Sequence, residues 1–307
     1  MFNQLKENIS KVMIDKEAEI ELMMIALLSD GHILLEDVPG TGKTTMAKCF
    51  SKSVEGTFSR LQFTPDTLPS DILGQEYFDM KTSDFKVRKG PVFSHVLLID
   101  EINRAVPRTQ SALLELMEEK NVTLGGVTYP LPKPFIVIAT QNPFDSIGTF
   151  PLPDAQLDRF LLTIQQGYPS VEHEKKMLKR FKTSNPIDTI QSVLTIADVI
   201  NMKEEMKQVL VSDDVEDYLL GIIQRTRNHK YIEIGVSPRG SLAYMRAIQA
   251  RAYIHGREFC NPEDVKELAL PLLAHRIVLN VEGEVKTTKR HVIQEILDHS
   301  PVPVEAK

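Results

Sequence analysis

The stretch Ile33-Leu34-Leu35-Glu36-Asp37-Val38-Pro39-Gly40-Thr41-Gly42-Lys43-Thr44-Thr45 constrains this chain more than any other. A short apolar run stops at a Pro-Gly loop, and a helical pattern begins at Lys43. Strand, tight loop and helix start, in that order, make a phosphate cradle. Loop amides point inward, and the positive end of the helix dipole adds to them. The cradle residues are Pro39, Gly40, Thr41, Gly42, Lys43, Thr44 and Thr45. The spacing puts Lys43 on the β- and γ-phosphates of a nucleoside triphosphate and the Thr44 hydroxyl on Mg²⁺. Asp37 stands where the pattern G-x-x-x-x-G-K-[ST] has its first Gly. That Gly serves turn geometry and touches no phosphate, so the P-loop reading stands and calls for a second motif.

Val96-Leu97-Leu98-Ile99-Asp100-Glu101 supplies it. Four apolar residues in a row suit a parallel strand buried on both faces. The two carboxylates then fall at its carboxyl end, where open α/β sheets place their ligands. Asp100 is expected to hold Mg²⁺ through a water, and Glu101 to orient and polarise the attacking water. Alone, the run reads equally as a buried strand ending in a solvated acidic turn. Downstream of Gly40-Thr41-Gly42-Lys43-Thr44-Thr45, it predicts an NTPase.

A length of 307 residues bounds the chain at about two domains, and 42% hydrophobic with 25% charged residues is ordinary globular composition. The net charge of −6 counts against a nucleic-acid surface. Cys49 and Cys260, far apart and without metal-ligand spacing, fit a reducing cytosol. The N-terminal Met1–Asn8 segment lacks the apolar core of a signal peptide, and 19–28 is too short and too charged to span a membrane. A soluble, cytoplasmic protein is expected.

Up to about residue 168, β-branched runs alternate with helical patterns, which predicts an αβα sandwich around a parallel sheet. Strands are expected at 32–35, 58–62, 96–99, 135–139 and 160–164, and helices at 19–28, 43–53 and 109–119. Between the second and third strands the sequence reads as a long loop with Pro65, Pro69, Gly74, Gly90 and Pro91. Val122–Tyr129 carries Gly125-Gly126 between two β-branched runs, a strong hairpin signal. From 169 to 307 the patterns are helical, at 172–181, 195–209, 213–228, 238–256 and 261–278, with no clear sheet. The expected organisation is thus a P-loop core over 1–168 followed by a small helical domain over 169–307. Lys175, Lys176, Lys179, Arg180 and Lys182 read as a solvated helix face.

With these sites placed, the chain resembles the AAA+ ATPases and, within them, the MoxR family. The resemblance spans almost the whole length. It rests on 34–45, Gln62-Phe63-Thr64-Pro65-Asp66, 69–74, Gly90-Pro91-Val92-Phe93, Ile99-Asp100-Glu101-Ile102-Asn103-Arg104-Ala105 and 109–115. Ala139-Thr140-Gln141-Asn142-Pro143, 152–160 and Ser237-Pro238-Arg239 complete the series. The resemblance implies ATP as the nucleotide, with Mg²⁺. It also implies three roles: Asn142 as the first sensor, near the γ-phosphate or the attacking water; Arg159 as an arginine finger reaching a neighbouring subunit's γ-phosphate; Arg239 as the second sensor, in cis or in trans. Arg159 reads otherwise as half of a surface ion pair with Asp158, which is worth little. The Gly-Gly hairpin resembles the insert that faces the central pore in this clade. Met13-Ile14-Asp15-Lys16 replaces the usual hydrophobic-Gly-Gln stretch of the adenine pocket, where Ile14 is expected to line the base.

The first function that follows is an ATPase assembling as a homo-oligomer, a hexameric ring, that remodels or activates a protein client. By resemblance a von Willebrand A-domain protein often takes part. An ATP-gated binding scaffold with little turnover would lack Glu101, Asn142 or Arg159, and all three are present. A DNA-dependent motor would need a basic pore, and the hairpin at 122–129 has no Lys or Arg.

Overall fold

The computed structural model describes residues 1–36, 41–142, 148–165, 170–181 and 186–303. They gather into two compact units, neither continuous in sequence. One takes Met1–Met23, His32–Leu152 and Ile164–Ile200, and the other Met24–Gly31, Pro153–Thr163 and the chain from Asn201 onward.

The chain opens with α1 (Phe2–Ser10), α2 (Glu17–Leu28), β1 (Ile33–Glu36), α3 (Lys43–Ser53) and β2 (Phe58–Gln62). It continues through α4 (Pro69–Leu73), β3 (Gly74–Asp79), β4 (Asp84–Lys89), β5 (Val96–Asp100), α5 (Pro107–Glu119), β6 (Asn121–Leu124), β7 (Val127–Pro130) and β8 (Ile136–Gln141). Next come α6 (Asp154–Leu157), β9 (Leu162–Gln165), α7 (Val171–Phe181) and α8 (Ile196–Met206). The remainder is α9 (Asp213–Arg227), β10 (Ile232–Ile234), α10 (Pro238–Ile254), α11 (Pro262–Leu273), β11 (Val278–Leu279), α12 (Val281–Lys286) and α13 (Lys289–Asp298).

The main sheet has the order β2-β5-β8-β1-β9. Its β2–β5, β5–β8 and β8–β1 pairs are parallel. The central strands carry continuous apolar runs because both faces are covered: Val96–Ile99 and Ile136–Ala139 are all buried. β2 mixes half-buried with exposed positions and has none fully buried, as suits an edge strand. α3 packs on β2 and β5. The strands and helices expected before residue 168 are therefore present, with ends moved by a residue or two; of the later helices, 195–209 stops at Met206 and 261–278 at Leu273, ahead of a strand at Val278–Leu279.

The stretch read as a long loop before β5 is instead structured. α4 leads into an antiparallel β3–β4 hairpin, Gly74 pairing with Lys89 and Asp79 with Asp84. The second hairpin, β6–β7, turns at Gly125 and Gly126 with φ of +57° and +78°. Both central residues need that left-handed backbone in a two-residue turn, and glycine takes it without a Cβ clash. The hairpins meet: a Cβ at Gly125 would lie 2.3 Å from Glu76 Oε1 of β3.

In the other unit the core is helical, built on α9, α10, α11 and α13, as the 3.6-residue pattern requires. A short antiparallel pair, β10 with β11, adds to it. Asn261 and Asp264 form a capping box at the start of α11, with Pro262 in the first turn. Asp264 is fully buried. Desolvation alone would raise its pKa, but hydrogen bonds from Arg257, Asn261 and Arg251 outweigh burial and hold the carboxyl below its ordinary value.

Candidate active site

In the first unit the sheet brings the motifs to one end. Glu36 closes β1 and pairs in register with Gln141, the last residue of β8. On the other side of β8 lies β5, whose last residue is Asp100. Thus the phosphate loop, the Asp100-Glu101 pair and Asn142 all leave neighbouring parallel strands at their carboxyl ends. This follows from topology: in parallel strands, loops after the strands share a side.

The Glu36 carboxylate accepts from Gln141 Nε2 at 2.6 Å and from Gln165 Nε2 at 2.9 Å. The chain therefore enters the phosphate loop from an anchored position. Pro39 and Gly40 lie outside the described residues. Thr41, Gly42, Lys43, Thr44 and Thr45 are half-buried, with α3 beginning at Lys43. Gly42 N-caps α3 at φ +87°, where a side chain would be strained. A Cβ there would lie 3.5 Å from Met13 Cε, so the segment between α1 and α2 runs beside the loop. Ile14, half-buried, follows Met13 directly. Asp15, which replaces the usual glycine, adopts φ +56° and pairs with His173 Nδ1 at 2.8 Å. The position thus keeps a left-handed backbone without glycine.

Asp100 is buried, and its Oδ2 accepts from Arg60 Nε of the edge strand at 2.6 Å. Glu101 is half-exposed, has φ +57° and ψ +55°, and its amide donates to Thr140 Oγ1 at 3.0 Å. Its carboxylate lies 3.3 Å from Arg104 Nε. Asn142 stands half-buried just beyond β8. An ammonium, hydroxyls, a helix N-terminus and two carboxylates are a donor set suited to a triphosphate carrying Mg²⁺. Thr44 and Asp100 are the residues that would hold the metal.

Arg159 and Arg239 both belong to the second unit, and they are described there. Arg159 is half-buried after α6; Arg239 is exposed in the first turn of α10, whose N-cap is Ser237. Asp158 Oδ1 pairs with Arg276 Nε at 2.8 Å, and its Oδ2 accepts from Ser237 Oγ at 3.1 Å. Motif reading missed Arg60, Thr140, Glu36 and Arg276. Thr140 and Glu36 carried a signal, since one sits two places before Asn142 and the other ends the strand that leads into the phosphate loop.

A model of the ATPase family associated with various cellular activities (AAA) matches residues 32–162, and one of the AAA lid domain matches 224–296. Chaperone MoxR1 of Mycobacterium tuberculosis is 39% identical over 284 residues, covering 90% of this chain and 75% of that protein. Protein MoxR of Methylorubrum extorquens is 26% identical, covering 98% and 94%. A crystal structure from Cytophaga hutchinsonii superposes with a TM-score of 0.92 at 38% identity, covering 98% of this chain and 94% of that one. On the motifs, the sheet order and this coverage, the chain belongs to the MoxR family of AAA+ ATPases.

Proposed function

We propose that the protein hydrolyses ATP to ADP and phosphate and uses the cycle to remodel or activate a protein client. The observation that carries this reading is the convergence of Lys43, Asp100, Glu101 and Asn142 on the carboxyl ends of adjacent strands β1, β5 and β8. Lys43 and the first amides of α3 bind the phosphates. Glu101 orients and polarises the attacking water, and Asn142 bonds the water or the γ-phosphate. Mg²⁺, when bound, offsets phosphate charge. Ile14 lines the base. Arg159 completes a neighbouring subunit's site in a homo-oligomeric, hexameric ring, and Arg239 senses the γ-phosphate. The working division is a catalytic core over 1–168 and a lid over 169–307, in a cytoplasmic protein. Among the described residues no helix is long and apolar enough to cross a membrane.

A protein client is favoured by the β3–β4 hairpin, whose end exposes Phe78, Met80 and Phe85 at 52%, 87% and 63%. Apolar groups grouped at one exposed hairpin end suit a peptide surface better than phosphates. A von Willebrand A-domain partner rests on resemblance alone.

The test is ATPase rate against protein concentration, with wild type also mixed with Arg159→Ala. Specific activity should rise with concentration and fall on mixing, because each site borrows its finger. Concentration-independent turnover that mixing leaves unchanged would refute the shared site. No turnover at any concentration would favour the ATP-gated scaffold.

A further inference from the structure

The side chain of Arg276 is 2% exposed and follows α11 in the second unit. Its guanidinium meets one short segment almost exclusively. Nε binds Asp158 Oδ1 at 2.8 Å, Nη1 donates to the Leu161 carbonyl at 3.1 Å, and Nη2 donates to the Phe160 carbonyl at 2.8 Å. A further Nη2 contact reaches the Asp158 carbonyl at 3.5 Å, and Nη1 also donates to the Leu272 carbonyl of α11. The segment so gripped has Arg159 in its middle. The other oxygen of Asp158 accepts from Ser237 Oγ, which also accepts from the Gly240 amide at 3.1 Å and so caps the helix turn bearing Arg239. Gly240 makes room for this: a Cβ there would lie 3.2 Å from Arg276 Cδ and 2.7 Å from Val236 Cγ1. Burial draws the Arg276 pKa down, Asp158 opposes that, and the charge of Arg239 adds to it, so the two arginines share one electrostatic neighbourhood.

We propose that Arg276 is a positioning residue for the ATPase reaction, holding Arg159 and Arg239 in one fixed arrangement through the shared carboxylate of Asp158. A buried ion pair serving stability alone needs one good partner. Here the acceptors flank one arginine, and the carboxylate's second oxygen is spent on the helix start of the other. The proposal rests on the reading of Arg159 as a finger.

The experiment uses the full chain. Arg276→Met with Asp158→Asn removes both charges together, so neither is left buried and unpaired. In folded protein, kcat should fall on the order of 100-fold while KM for ATP moves less than about threefold. Adding Arg159→Ala should take kcat no lower than about twofold below Arg159→Ala alone, because both changes remove the same contribution. Losses that multiply, or kcat within about twofold of wild type, would overturn the proposal. If Arg159→Ala alone leaves kcat intact, the finger reading falls and this inference with it. If Arg159→Ala lowers kcat but the paired variant does not, only the inference falls. Should the paired variant not fold, Ser237→Ala cuts the link to α10 while leaving the buried charges in place. It should lower kcat by about threefold or more, non-additively with Arg239→Ala. An unchanged kcat there would sink the coupling.

Discussion

Glu101 holds a backbone conformation that costs a residue with a Cβ about 1–2 kcal/mol relative to its relaxed state, at φ +57° and ψ +55°. The Thr140 hydroxyl bonded to its amide helps hold the turn. Such strain, at the end of a buried strand and next to a buried aspartate, would fix the carboxylate in place for the general-base role proposed above. Glu101→Gln should therefore bind ATP within about threefold of wild type yet lose on the order of 100-fold or more in turnover. Calorimetry and phosphate release measure the two separately, and normal turnover would take the base role away from Glu101. Lys43→Ala should abolish binding in the same calorimeter if, as proposed, its ammonium meets both terminal phosphates.

At the scale of elements, legibility followed how local the signal was. β5 and β8 were readable because uninterrupted apolar runs mean burial on both faces. β6–β7 was readable because Gly125-Gly126 dictates its turn. β3–β4 was not: Gln75-Glu76-Tyr77-Phe78-Asp79 shows no clean alternation, and its turn has no Gly or Pro, being held by bonds to the Asp79 carboxylate from the Lys81 amide at 2.9 Å and from Lys86. The motif residues of the candidate site were legible for the same reason, being contiguous. The Asp158–Arg276 pair, 118 positions apart, left no local trace. Glycines separate the two hairpins experimentally. At Gly74, with φ +96°, a Cβ would lie 2.2 Å from the Arg88 carbonyl oxygen, so backbone must move. Gly74→Ala should cost about 2 kcal/mol or more in urea unfolding. Gly126→Ala meets nothing within 4 Å and should cost only its backbone strain, about 1 kcal/mol. Equal losses would mean that packing around Gly74 is softer than drawn.

For the whole molecule, acid sensitivity above pH 5 traces to buried histidine. Burial, then the charge of Arg276, pushes His275 well below its ordinary pKa, and its Nδ1 is buried without a hydrogen-bond partner. Burial lowers His95 as well. The unfolded chain takes up protons on these rings below about pH 6.5 while the folded chain does not. Stability is thus full above that pH and falls below it, by up to about 1.4 kcal/mol per pH unit for His275, with a smaller share from the half-buried, solvent-screened His95. Asp264, with its pKa depressed, works in the same direction but only near and below the ordinary carboxylate range. Melting temperatures should fall between pH 7 and pH 5, and His275→Gln should flatten that slope. A variant as steep as wild type would clear His275 of the effect. The two cysteine thiols play no part, since burial pushes Cys49 up to about 11 and Cys260 up to about 12.

The 118 positions separating Asp158 from Arg276 also set a clock. At translation speeds of about 5–20 residues per second, a ribosome that has just made Asp158 needs roughly 6–24 s to deliver its partner. Through that interval the nascent segment around Arg159 has its carboxylate and carbonyls uncovered, whatever has already folded upstream. A stalled or prematurely released chain would carry the phosphate-loop sequence complete and the segment around Arg159 without the grip of Arg276.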